Sequence, residues 1–247
     1  MLQLMMHIVA GYPTLGASEA IARQILKSGA DFLEIQIPFS DPIADGPLIA
    51  SANEAALKAG MTVQKSLELI GRVARFTDKP IFIMTYFNII YRYGVAAFCK
   101  IACQLGVAGL IVPDFPFDEE PGNQLLRHCR QNELDFVPVI ALNTCTNRLE
   151  QILKIPSPFI YCVARAGTTG GKTVVSAELI SYLQRVRHVS DKSLMVGFGL
   201  SKKSQIVTLE PYADIVVIGS ALMREYGNIE HFIHSLLFSP PGGADGI

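Results

Sequence analysis

The chain has 247 residues, 50% apolar and 17% charged, with 20 glycines and 14 prolines. That length allows one large domain or two small ones, and the apolar share excludes a disordered chain. Twenty-one basic residues nearly cancel 22 acidic ones, with no basic block to grip a phosphate backbone, so nucleic acid is not an expected partner.

Strand-like and helix-like patterns alternate along the sequence. The opening run Met1–Ala10 is apolar but has neither the basic region nor the cleavage pattern of a signal peptide, and it reads as a first strand over Met5–Ala10. A helix opening at Ser18-Glu19 and ending near Ser28-Gly29 follows, then a strand over Phe32–Ile37. Next come a helix from Thr62 to about Phe76, a strand over Pro80–Met84 and a helix over Val95–Leu105. The series continues with strand Gly109–Val112, helix Glu120–Gln131, strand Phe136–Ile140 and helix Thr146–Ile155. It closes with strand Phe159–Val163, helix Ala177–His188, strand Leu194–Gly197, helix Lys202–Leu209, strand Ile215–Ile218 and helix Asn228–Leu237.

Such alternation implies a parallel sheet covered by helices. Eight units in this length predict a (β/α)₈ barrel, with a doubly wound open sheet as the alternative. The expected organisation is one barrel domain over residues 1–238 and a flexible C-terminal tail over 239–247, beginning Ser239-Pro240-Pro241-Gly242. Nothing before the first strand is expected to plug the barrel floor. No apolar run approaches the roughly 20 residues of a membrane span. The five cysteines are odd in number and form no CxxC pair, which suits a reduced, cytoplasmic protein. Of the histidines only His231 and His234 share a helical face, and no metal site is expected.

Active sites of such barrels lie at the C-terminal ends of the strands. In Leu33-Glu34-Ile35-Gln36-Ile37-Pro38, alternation sends Leu33, Ile35 and Ile37 toward the helices, leaving Glu34 and Gln36 to point into the barrel. A carboxylate there is either satisfied by a neighbouring strand or is an acid/base whose pKa burial raises. The loop that follows, Phe39-Ser40-Asp41-Pro42-Ile43-Ala44-Asp45-Gly46-Pro47, suits neither strand nor helix. Asp45 is a candidate second carboxylate at the mouth, whereas Asp41 reads equally well as a turn cap. Three glycine sets follow later strands: Gly167-Thr168-Thr169-Gly170-Gly171, Gly197-Phe198-Gly199 and Gly219-Ser220. Glycine lets backbone N–H groups approach an anion, so together they suggest a phosphate cradle.

The run Leu33 to Pro47 closely resembles the signature of the tryptophan synthase alpha subunit family. Ala10-Gly11-Tyr12-Pro13-Thr14, Tyr86-Phe87-Asn88, Pro113-Asp114-Phe115-Pro116, Ala164 to Gly170, Gly197-Phe198-Gly199 and Ile218-Gly219-Ser220 fall in that family's order. The resemblance implies a (β/α)₈ barrel that cleaves indole-3-glycerol phosphate to indole and glyceraldehyde 3-phosphate. It also implies an α₂β₂ complex passing indole to a beta subunit, which alone carries pyridoxal phosphate; no cofactor is expected in this chain. By the same resemblance Glu34 is the general acid/base and Asp45 the second catalytic acid. The cleavage needs a proton delivered to indole C3, a proton removed from the glycerol hydroxyl, and an anion beside the ring N–H while it carries positive charge. Tyr161 matches a pocket tyrosine, Thr169 the closing-loop threonine, and Gly170, Gly199, Gly219 and Ser220 the phosphate cradle. Asp41, Pro42, Asn88 and Pro116 match the surface facing the beta subunit.

The family has glycine at the position of Gln36, often serine at that of Ala166, and a helix before strand one that is absent here. An amide at Gln36 is expected to fill indole-sized space or to bond Glu34. A second reading follows, an alpha subunit that mainly activates its partner while its own chemistry is impaired. A third, an unrelated sugar-phosphate isomerase barrel, leaves the second-strand signature to chance.

Overall fold

A computed structural model of the chain describes residues 2–164, 175–197 and 199–238. Its strands are β1 (Gln3–Val9), β2 (Phe32–Gln36), β3 (Ile81–Met84), β4 (Gly109–Ile111), β5 (Asp135–Val137), β6 (Val139–Ile140), β7 (Phe159–Val163), β8 (Ser193–Gly197) and β9 (Ile215–Ile218). All pairings are parallel, in the order β5-β4-β3-β2-β1-β9-β8-β7-β6. β5 and β6 are one chain run interrupted at Pro138, which has no N–H for the ladder. The run pairs with β4 before the proline and with β7 after it, and Pro138 still accepts a bond from the Tyr161 N–H at 2.9 Å. The sheet therefore closes on itself as a (β/α)₈ barrel, and the open-sheet alternative falls.

The helices are α1 (Leu15–Lys27), α2 (Pro47–Lys58), α3 (Val63–Ala74), α4 (Phe87–Tyr93), α5 (Val95–Gln104), α6 (Glu120–Gln131), α7 (Thr146–Leu153), α8 (Ala177–His188), α9 (Lys203–Leu209), α10 (Ser220–Arg224) and α11 (Ile229–Leu237). α1 starts three residues before Ser18, because Thr14 caps it by accepting from the Ala17 N–H at 3.2 Å. α2, α4 and the short α10 are additions to the eight helices predicted. α2 has Pro at its first turn and buries Ile49, Ala52, Asn53 and Ala56, a single stripe at helical spacing. Among the described residues no helix is long and apolar enough to cross a membrane. All five cysteines are free.

Two apolar layers position the site. The outer one, between sheet and helices, takes Leu33, Ile35 and Ile37 of β2 and its continuation. The inner one fills the barrel with Met5, Phe32, Phe82, Met84, Ile111, Tyr161, Met195 and Val217 among others. At the N-terminal ends of the strands Phe32, Phe82 and Phe159 pack with ring centroids 5.6 to 6.4 Å apart, so aromatic side chains plug the floor from within. Among the described residues the C-terminal ends are left open above this plug. The tail expected over 239–247 lies outside the described residues.

Candidate active site

The alternation that buries Leu33 and Ile35 outside the barrel turns Glu34 and Gln36 inward, as expected, and both are buried. Parallel pairing sets His7 of β1 directly beside Glu34, and His7 Nδ1 lies 3.1 Å from Glu34 Oε2. The loop after β2 folds back so that Asp45, 8% exposed, joins them. Its Oδ2 accepts from Gln36 Nε2 at 2.6 Å and from the Tyr86 hydroxyl at 3.0 Å. Tyr86 also accepts from the Ala44 N–H at 3.1 Å and stacks on Phe39 at 5.2 Å, which fixes the loop over the strand ends. Asn53 of α2 completes the support, accepting from the Phe39 N–H at 2.9 Å and from Gln36 Nε2 at 3.3 Å.

Burial raises the Asp45 carboxyl above its ordinary range, although the charge of His7 and the bonds from Gln36 and Tyr86 pull the other way. For His7, burial opposes the charged ring, but the Glu34 charge and hydrogen bond, with Asp45 and Gln36 behind them, outweigh it and raise the pKa. Tyr161 is pushed well up by burial and by the charges of Glu34 and Asp45, so its phenol stays neutral. Gly197 is needed beneath it, since a Cβ there would lie 2.1 Å from the Tyr161 hydroxyl oxygen.

These groups border a cavity of about 750 Å³, the size range of small-molecule sites. His7, Glu34, Asp45 and Tyr161 line it together with the apolar Ile49, Met84, Ile111 and Phe115. Gly199, Ser201, Gly219, Ser220 and Arg224, which follow β8 and β9, line it as well. The structure thus brings together Glu34, Asp45, Tyr161, Gly199, Gly219 and Ser220. Thr169 and Gly170, with Ala166 and the whole loop expected to close the site, lie outside the described residues. Asp41 is exposed and Pro42 and Pro116 half-buried on loops that follow strands β2 and β4, and Asn88 is exposed in the first turn of α4, which follows β3. Among the described residues no group of three metal-ligating side chains converges.

Gln36 departs from expectation. Its amide does not line the cavity, and its hydrogen bonds go to Asp45 and Asn53 rather than to Glu34. The side chain is drawn toward the loop because two acceptors wait there, so the indole-sized space stays open. His7, Tyr86 and Asn53 are the site residues that sequence reasoning missed.

The family model described as tryptophan synthase alpha chain matches residues 2–235. The chain belongs to the tryptophan synthase alpha chain family. A tryptophan synthase alpha chain from Desulforapulum autotrophicum is 39% identical over 238 residues, 94% of this chain and 93% of its own length. One from Aquifex aeolicus is 38% identical over 226 residues, covering 91% of this chain and 86% of that one. Among solved structures, a tryptophan synthase chain from Mycobacterium tuberculosis superposes with a TM-score of 0.87 at 32% identity, covering 95% of this chain and 91% of its own. A tryptophan synthase alpha-subunit variant from Pyrococcus furiosus gives 0.86 at 31%, covering 95% and 97%.

Proposed function

We propose that this chain is the lyase of its family, cleaving indole-3-glycerol phosphate to indole and glyceraldehyde 3-phosphate in tryptophan biosynthesis. The observation that carries this reading is the pair of buried carboxylates, Glu34 and Asp45, facing one half-apolar cavity that glycines border on its other side. Glu34 delivers a proton to indole C3 and removes one from the glycerol hydroxyl, the work of a general acid/base. Asp45, held by Gln36 and Tyr86, presents its remaining oxygen to the ring N–H as positive charge develops there. Tyr161 and the apolar wall hold the ring. Backbone N–H groups at Gly199, Gly219 and Ser220 receive the phosphate, with Thr169 and Gly170 assigned to the same role by resemblance.

The chain itself needs no cofactor, and pyridoxal phosphate belongs to a beta subunit. That partner docks in an α₂β₂ complex, in the cytoplasm, on the surface carrying Asp41, Pro42, Asn88 and Pro116. Ile43 and Tyr91, 73% and 59% exposed beside them, add the apolar area such a surface uses. The test is release of indole from indole-3-glycerol phosphate, measured with and without beta subunit. Indole formation that rises when the partner is added supports the reading; no indole under either condition overturns it.

A further inference from the structure

His7 stands where no general account of two carboxylates requires a third titratable group. Its side chain is 7% exposed, lines the cavity, and has Nδ1 on Glu34 Oε2 at 3.1 Å. Among the described residues its other nitrogen, Nε2, has no hydrogen-bond partner, and neither has Oε1 of Gln36, whose amide nitrogen donates to Asp45. The far edge of the ring rests on Gly219, where an added Cβ would lie 3.1 Å from His7 Cδ2. A buried carboxylate beside a buried imidazole is stable when the two share a proton, because either one charged alone is desolvated without compensation.

We propose that His7 and Glu34 work as a dyad holding one proton between them, with His7 the positioning residue through which Glu34 is charged and discharged. The proposal rests on the lyase reading above. At rest the ring is the imidazolium and Glu34 the carboxylate. Passing the Nδ1 proton to Glu34 makes the carboxyl the acid that protonates indole C3. The carboxylate so regenerated accepts the proton of the glycerol hydroxyl as the carbon–carbon bond breaks. The electron pair of that bond returns to the indole ring, and the hydroxyl oxygen becomes the aldehyde carbonyl. Glu34 then hands the proton back to Nδ1, so one proton leaves the dyad and one returns per turnover.

The acidic and neutral groups packed around the ring agree with a charged His7. β2 faces it with Glu34 and with the carbonyl of Gln36, the loop after β2 with Asp45, and β7 contributes the neutral phenol of Tyr161. Arg148 of α7 and Arg224 of α10 are the cationic groups among the described residues lining the same cavity, and their charge opposes that of His7. The pKa direction agrees, raised above 6.5 chiefly by Glu34 against the cost of burial.

Two measurements on the full chain test the dyad. In the first, kcat and KM for indole-3-glycerol phosphate are followed across pH for wild type and His7→Gln, with beta subunit present. Glutamine keeps a donor toward Glu34 but does not titrate. The expected result is a KM within about threefold and a kcat lowered about 10–100-fold, the range for lost proton transfer. The alkaline limb of the wild-type profile should move toward acid by a pH unit or more in the variant. Superimposable profiles with kcat within twofold would reduce His7 to a structural contact. In the second, the His7 ring is titrated by nitrogen NMR in wild type and in Glu34→Gln. Its pKa should lie above 6.5 in the first and fall by at least one unit in the second, and equal values would overturn the dyad. Should wild type release no indole while His7 titrates in this way, the lyase reading falls and the coupled pair stands.

Discussion

Replacing Tyr86 by Phe removes one oxygen from the most buried part of the loop scaffold, and its consequences follow from three contacts. The Tyr86 hydroxyl donates to Asp45 Oδ2 at 3.0 Å, accepts from the Ala44 N–H at 3.1 Å, and belongs to a side chain with no exposed surface. The ring's stacking on Phe39 survives the change. A hydrogen bond to a charged acceptor contributes about 1.5–3 kcal/mol, and a part-buried N–H left without a partner costs about 1–3 kcal/mol. The two overlap, because both groups relax together, so the expected loss is about 3 kcal/mol. For a chain of this length that lowers Tm by roughly 6–12 °C. Asp45 also loses one of the two donors that hold its carboxyl down against burial, so its pKa rises further and the acid limb of lyase activity moves to higher pH. Scanning calorimetry and a kcat–pH profile of Tyr86→Phe read both effects, with Tyr91→Phe, at an exposed position, as the control. A Tm within about 1 °C of wild type, together with an unmoved acid limb, would refute the assignment of Tyr86 as the anchor of Asp45.

Asp45→Asn should abolish most lyase activity while the protein remains folded. The Asp45 carboxyl is raised above 3.8 by burial, so its contribution to stability is fully present below that pH and is lost as pH rises through the raised folded value. The variant should therefore gain on wild type in urea denaturation between acid and neutral pH, and a constant difference would contradict the burial argument. Asp41→Ala, on the exposed loop, should weaken activation by the beta subunit several-fold while the basal rate changes by less than twofold; titrating beta subunit into both proteins checks this.

The barrel was legible because each strand is a short apolar run and each helix carries its stripe, and the eight predicted strands are all present. The predicted run Phe136–Ile140 is split only by Pro138. The inward face of β2 was legible for the same reason, since a period of two leaves no other place for Glu34 and Gln36. α2 escaped notice because its opening residues were read as the end of a loop, although Gly46-Pro47 before a stripe of Ile49, Ala52 and Ala56 is a helix start. Asn53 went with it. His7 was readable from the alternation of Met5 and His7 along β1, but its pairing with Glu34 is a matter of register between strands 27 residues apart. Tyr86 lies 41 residues from Asp45, and no local pattern announces a contact of that span. The direction taken by Gln36 depends on Asp45 and Asn53 waiting beside it, which only the folded loop decides.

The account turns on Glu34 as the group that moves protons at the substrate. Indole release from indole-3-glycerol phosphate should therefore be measured at saturating substrate for wild type and Glu34→Gln, each with beta subunit and each checked for an unchanged melting curve. Glutamine keeps the volume and a hydrogen-bonding partner for His7 but transfers no proton, so kcat should fall by about 10²–10⁴-fold or more. A folded Glu34→Gln protein that releases indole at close to the wild-type rate would contradict the account.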